Sequence, residues 1–231
     1  MSRFFIPINN PEDWKPLLAE PDKHWKTGYS AKALAYSWQE ADDFPADVKM
    51  VFKNSGIELF QDVEMLLAFP EYKVPLPGGK RASQNDIFIL AKGNGQLISI
   101  TVEGKVDESF GELISKWRLK DEGGKKERLI FLCGQLTLDS SAVDHIHYQL
   151  LHRTASAVIK AKEFNAPNAL MVVHAFEKTK EKYNESFQAY CQFLSLFDKR
   201  GEEDSIVFIR TLDSVDLYCG WVRGNKKYLE K

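Results

Sequence analysis

The feature that most limits how this chain can fold is the segment 84–107, QNDIFILAKGNGQLISITVEGKVD. Two runs rich in β-branched and aromatic residues, DIFILA and LISITVEGKV, flank Asn94-Gly95. Asn-Gly is the dipeptide best suited to a two-residue type I′ turn, in which both central residues need positive φ. A hairpin closed there pairs Gly93 with Gln96 and sets every pair beyond. Ile87 faces Val102, Ile89 faces Ile100 and Ala91 faces Ile98, an apolar face. On the other face Leu90 meets Ser99, Phe88 meets Thr101 and Asp86 meets Glu103, with Lys105 two residues further along.

Directly opposed strand residues hold their Cβ atoms roughly 4.5–5.5 Å apart, where like charges destabilise a sheet. The Asp86–Glu103 pair therefore calls for a compensating charge. A shared divalent cation such as Mg²⁺ supplies one, since it is held by one or two carboxylates together with water and phosphate oxygens. Lys105 alone supplies another, and a solvated ribbon face carrying a small ion-pair cluster accounts for the same residues equally well.

Nothing in the 231 residues divides the chain: no Pro/Gly/Ser-rich linker and no shift of composition, so one domain over 1–231 is expected. Hydrophobic residues at 44% and charged residues at 28% suit a globular protein, and no apolar run approaches the ~18 residues of a membrane helix. The opening MSRFFIPINNPEDW lacks the apolar core of a signal peptide. Cys133, Cys191 and Cys219 show no metal-ligand spacing, which suits three buried small hydrophobes in a reducing cytoplasm. The net charge of −2, from 31 basic and 33 acidic side chains, gives no general support for wrapping duplex DNA. The basic clusters at 23–26 and 125–128 read as solvated faces, and Trp25 and Tyr29 among lysines read as packing more readily than as a base-stacking platform.

Along the chain, residues 1–27 read as a proline-containing approach segment. Ser30 reads as the cap of a helix AKALAYSWQEA, and a second helix is expected within 45–61, followed by an edge-like strand near 64–76 interrupted by Pro70 and Pro75. After the hairpin, SFGELISKWRL reads as an amphipathic helix capped by Ser109. KKERLIFLCGQL is helix or strand, and SSAVDHIHYQLLHRTASAVIKAKEFN is one long helix. ALMVVHAF has the continuous apolar character of a strand buried on both faces. NESFQAYCQFLSLFD then reads as a helix, and DSIVFIRTL and VDLYCGWVRG as two late strands.

Asn85-Asp86, sixteen intervening residues and Glu103-Gly104-Lys105, on consecutive strands after a first helix and before a further helix and strand, resemble the core of the PD-(D/E)XK nuclease-like superfamily. Asn85 stands where that superfamily often has proline. The resemblance implies an α/β protein of restriction-endonuclease-like fold, a central mixed sheet flanked by helices. Its core would span about 28–176, with an N-terminal approach segment and a C-terminal helix plus two-strand extension. It implies Mg²⁺- or Mn²⁺-dependent phosphodiester hydrolysis of DNA or RNA, with Asp86 and Glu103 as metal ligands and Lys105 orienting water or stabilising the phosphate. The superfamily often adds a glutamate from the first helix; this helix offers only Lys32 and, at its end, Glu40 as supporting candidates.

On the long helix, His145, Gln149 and His152 recur at one face beside Arg153. Gln149 and Arg153 resemble polar helix residues that some members aim at the site, although an exposed helix face is the commoner explanation of such a stripe. The alternative to an enzyme is a non-catalytic protein that keeps the nuclease-like fold as a binding or interaction module.

Overall fold

The computed structural model describes residues 8–41, 43–119 and 124–231, so the first seven residues of the approach segment lie outside it. Two 3₁₀ segments, Pro11–Leu17 and Glu58–Phe60, frame three helices, α1 (Pro21–His24), α2 (Ser30–Gln39) and α3 (Ala46–Asn54). Then follow β1 (Val63–Val74), β2 (Ser83–Gly93), β3 (Gln96–Lys105), α4 (Ile114–Leu119), α5 (Lys125–Leu136) and α6 (Tyr148–Glu163). The chain closes with β4 (Asn168–Ala175), α7 (Lys180–Ser195), β5 (Ser205–Leu212), β6 (Val215–Arg223) and a 3₁₀ turn at Lys226–Glu230.

The strands form one open, mixed six-stranded sheet in the order β1-β2-β3-β4-β6-β5. β3, β4 and β6 run parallel, and β1, β2 and β5 join them antiparallel. Helices cover both faces. Leu34, Trp38, Val51 and Phe52 of α2 and α3 pack with Ile87, Ile89, Ile100 and Val102 on one side. Leu132, Leu150, Val158 and Phe193 of α5, α6 and α7 pack with Met171, Val173, Leu217 and Trp221 on the other. No described helix is long and apolar enough to cross a membrane.

The hairpin forms in the register that its turn dictates, from Gly93↔Gln96 to Ile87↔Val102. Asn94 (φ 44°) and Gly95 (φ 76°) both take the positive φ of a type I′ turn. The face carrying Ser99 and Thr101 is not a solvated ribbon, however. Both residues are buried, and they anchor α6 across the sheet: Ser99 Oγ donates to the Ala157 carbonyl at 2.8 Å and Thr101 Oγ1 to the Arg153 carbonyl at 3.1 Å.

Other elements differ from their sequence expectation. The long helix begins at Tyr148 rather than at Ser140, because Ile146 and Val143 turn inward from a loop whose backbone ties to residues 112–115. The helix after the hairpin shrinks to Ile114–Leu119, leaving Ser109 and buried Phe110 in the preceding turn. Ser30 lies in the first turn of α2, with Tyr29 in the cap position. Pro70 sits inside β1, which it can do because β1 is an edge strand. The two late strands are no appendage: β6 pairs directly with β4, so the sheet continues well past residue 176. The three cysteines are free, Cys133 and Cys219 buried and Cys191 half-buried.

Candidate functional site

Asp86 enters at the start of β2, and its Oδ2 accepts the Gly104 amide of β3 at 2.8 Å. That bond requires β3 to carry no side chain there: a Cβ on Gly104 would stand 3.2 Å from Leu34 Cδ2 of α2 and 3.4 Å from Asp86 Oδ2. On either side of Gly104, strand alternation sends Glu103 and Lys105 to the opposite face, beneath α6. Both are almost fully buried, at 2% and 3% exposure.

These charges neutralise one another. Lys105 Nζ lies 2.8 Å from Glu103 Oε1 and donates to Gln149 Oε1 at 2.9 Å and, weakly, to the Ser109 carbonyl at 3.4 Å. Its ammonium also sits 4.7 Å from the centre of the Phe110 ring. Arg153 Nε reaches Glu103 Oε2 at 2.5 Å and its Nη2 approaches Asp86 Oδ1 at 3.5 Å. Arg153 Nη1 is buried and, among the described residues, has no partner. Gln149 and Arg153 are thus not an exposed helix stripe. The hydroxyls of Ser99 and Thr101 seat α6 on the sheet and bring that polar face onto the hairpin carboxylates. His145 precedes α6 and is exposed.

A further acid, Glu71, lines the same cleft from β1 and had no sequence signal strong enough to single it out. Its φ is +53°, and the β1–β2 ladder passes from Pro70↔Ile87 to Tyr72↔Asn85, skipping Glu71 and Asp86. Gln84 Nε2 donates to Glu71 Oε2 at 2.6 Å. Lys32 and Glu40 are not brought to the cleft: Lys32 lies 4.0 Å from Glu12, and Glu40 pairs with Lys227 and Lys231.

Burial, reinforced by repulsion from Asp86, pushes the Glu71 carboxyl up to about 8, and burial with repulsion from Glu103 pushes Asp86 up to about 7. Burial also works to raise Glu103, but Arg153 and Lys105 outweigh it and hold that carboxyl below its ordinary range. One carboxylate is therefore saturated with positive charge, while two neighbours compete for protons. Among the described residues no group of three or more His, Cys, Asp or Glu side chains is gathered closely enough to hold a metal by itself. The donor set nonetheless fits a hard cation such as Mg²⁺. Such an ion needs only one or two carboxylates from the protein, and it would relieve the repulsion by which Glu103 raises Asp86 and by which Asp86 and Glu103 raise Glu71.

The cleft holds about 550 Å³ and is lined by Leu18, Ala19, His24, Ser30 and Ala31 from the N-terminal part and by 108–112, Trp117 and Tyr148. Its lining carries five carboxylates (Glu71, Asp86, Glu103, Glu108, Glu112) against two permanent cations, Lys105 and Arg153.

Fold and site together define an α/β protein with a buried, charge-compensated acid–lysine–arginine cluster at the floor of a cleft. Residues 7–226 match DUF6946, a domain of unknown function, and the chain belongs to that family. No curated protein and no solved structure matches it.

Proposed function

We propose that this chain is a metal-dependent nuclease of restriction-endonuclease-like fold, cleaving phosphodiester bonds in DNA or RNA. The observation that carries this proposal is the convergence of Asp86, Glu103 and Lys105, from one hairpin, with Glu71, Gln149 and Arg153 on a single cleft. Asp86 and Glu103 would hold Mg²⁺ or Mn²⁺, with Glu71 beside them in place of an acid from the first helix. When bound, the ion would polarise the phosphoryl group and lower the pKa of a coordinated water. Lys105, oriented by Glu103 and Gln149, would turn the N–H that it now gives weakly to the Ser109 carbonyl toward a phosphate oxygen.

The acidic lining favours a second reading, a binding module that keeps the fold without catalysis. Both Glu103 oxygens are already engaged by cations, and five carboxylates around a cleft repel a polyanion unless a cation intervenes. A cleavage panel on single- and double-stranded DNA and RNA, with Mg²⁺ and Mn²⁺, separates the two. The nuclease should cut in a metal-dependent way and lose that activity in Lys105→Ala. Cutting that survives Lys105→Ala, or Mn²⁺ binding in calorimetry that is unchanged by Asp86→Ala and Glu103→Ala, would sink the mechanism. Absence of cutting with every substrate would leave the binding module.

A further inference from the structure

His152, one residue before Arg153 on α6, lines the cleft, and it belongs to a hydrogen-bond chain that the mechanism above does not use. Its Nδ1 lies 2.7 Å from Ser83 Oγ, which lies 2.8 Å from Ser156 Oγ, which in turn lies 2.7 Å from the His152 carbonyl. Both serines are buried, at 2% and 0% exposure. Each hydroxyl has one hydrogen, and a carbonyl can only accept. Ser156 therefore donates to the carbonyl, Ser83 donates to Ser156, and the contact at the ring uses a hydrogen on Nδ1. The reverse direction would leave two oxygen lone pairs facing each other at 2.7 Å with no hydrogen between them. Every short contact is satisfied only when His152 is the Nδ1–H form.

Nε2 then carries the lone pair, and among the described residues it has no hydrogen-bond partner. Burial, with Arg153, Arg128 and Lys105 close by, holds the ring well below the usual histidine range, so it stays neutral. Those same cations make it a poor proton acceptor in a reaction. Its chemistry is that of a fixed hydrogen-bond acceptor beside two cations that bind anionic oxygens.

A nucleic-acid backbone offers such an acceptor only one kind of partner. Phosphate oxygens and the sugar ring oxygen accept, whereas the ribose 2′-hydroxyl also donates, and it is what distinguishes RNA from DNA at a given site. We infer that Nε2 of His152, held proton-free by the Ser83–Ser156 chain, receives the 2′-hydroxyl of a ribose beside the bound phosphate, making single-stranded RNA the preferred ligand of the cleft. The inference rests on the phosphodiester-binding reading of the cleft and adds the identity of the sugar.

The test combines spectroscopy with matched oligonucleotides. In ¹⁵N NMR of the imidazoles, His152 should show a protonated Nδ1 and a bare Nε2 at neutral pH; an Nε2–H ring, or a doubly protonated one, overturns the inference. By fluorescence anisotropy with Ca²⁺ in place of Mg²⁺, single-stranded RNA should bind about tenfold tighter than DNA of the same sequence, the worth of one hydrogen bond. Ser156→Ala lies behind the ring and removes only the group that sets the chain's direction; it should bring the RNA-to-DNA ratio toward one and mix the two ring forms. Equal binding of RNA and DNA to the wild-type chain overturns the inference, as does a ratio that Ser156→Ala leaves intact. Metal-dependent cutting of DNA as fast as RNA would overturn the sugar preference while sustaining the nuclease. Failure of both oligonucleotides to bind would overturn both.

Discussion

Arg153 is the residue on which the buried charges depend most. It meets Glu103 and Asp86 at once with 8% of its side chain exposed, and Glu103 beneath it is 2% exposed. Removing one partner of a buried pair leaves the other desolvated and uncompensated, at a cost of about 3–5 kcal/mol. Arg153→Met should therefore lower the unfolding free energy by about that amount in urea titration, although it keeps the apolar stem. A loss under about 1 kcal/mol would mean that Lys105 alone compensates Glu103. The raised acids make a separate prediction. Asp86 (about 7) and Glu71 (about 8) keep protons in the folded chain at pH values where the unfolded chain, titrating near 4, has released them. Folding then takes up protons, so this contribution is full below about pH 4 and is lost as pH climbs through about 7 and 8. His152 acts in the opposite sense but only below its unfolded value near 6.5. The urea midpoint should thus fall between about pH 4 and about pH 8, with His152 no longer opposing the fall above about pH 6.5, and Asp86→Asn combined with Glu71→Gln should flatten it. A midpoint that rises over this range would contradict the two shifts.

At the scale of elements, the site depends on two helices seated against one hairpin. α6 is fixed by Ser99 and Thr101, and α2 by its close approach over Gly104. Gly104→Ala would put a methyl carbon 3.2 Å from Leu34 Cδ2, so that side chain must give by a few tenths of an ångström, and 3.4 Å from Asp86 Oδ2, in contact with the carboxylate. Overpacking of this kind costs about 1–3 kcal/mol. The substitution should lower the melting temperature and weaken Mn²⁺ binding together; a lower melting temperature with unchanged Mn²⁺ affinity would show that Asp86 does not need the Gly104 amide. The same two helices mark where sequence was informative and where it was not. The hairpin register and the Asp86–Glu103–Lys105 grouping were legible because a two-residue turn couples each strand position to its partner. Glu71 was hidden because residues 75–82 connect β1 to β2 without a tight turn to set register, and because its left-handed backbone interrupts strand alternation. Gln149 and Arg153 looked solvent-facing since their partners, Glu103 and Lys105, are distant in sequence and polar. The start of α6 was misplaced because buried Val143 and Ile146 imitate helical spacing from within a loop.

For the whole molecule, depth decides what can reach the site. Glu103 and Lys105 lie at 2% and 3% exposure on the cleft floor, with Leu18, Ala19, His24, Ser30, Ala31 and the turn at 108–112 lining the same cleft. A continuous duplex presents its phosphates on the outside of a stiff, wide cylinder, and the bases behind them cannot follow a phosphate down to side chains as buried as Glu103 and Lys105. A single strand can bend, and an unpaired nucleotide can leave the stack for a few kcal/mol. The cleft wall also offers Tyr148 and Trp117, stacked on each other at 4.1 Å, as an apolar flank for an extruded base. The proposed nuclease should therefore cut in the loops and frayed ends of a labelled stem–loop substrate rather than in its paired stem. The preference should be at least about tenfold, corresponding to the few kcal/mol of unpairing that the stem requires. Mapping the cut positions on a sequencing gel checks this directly. Cuts spread evenly through the stem, or equal rates on a closed circular duplex, would mean that the lining from the N-terminal part and from 108–112 opens far enough to admit paired strands.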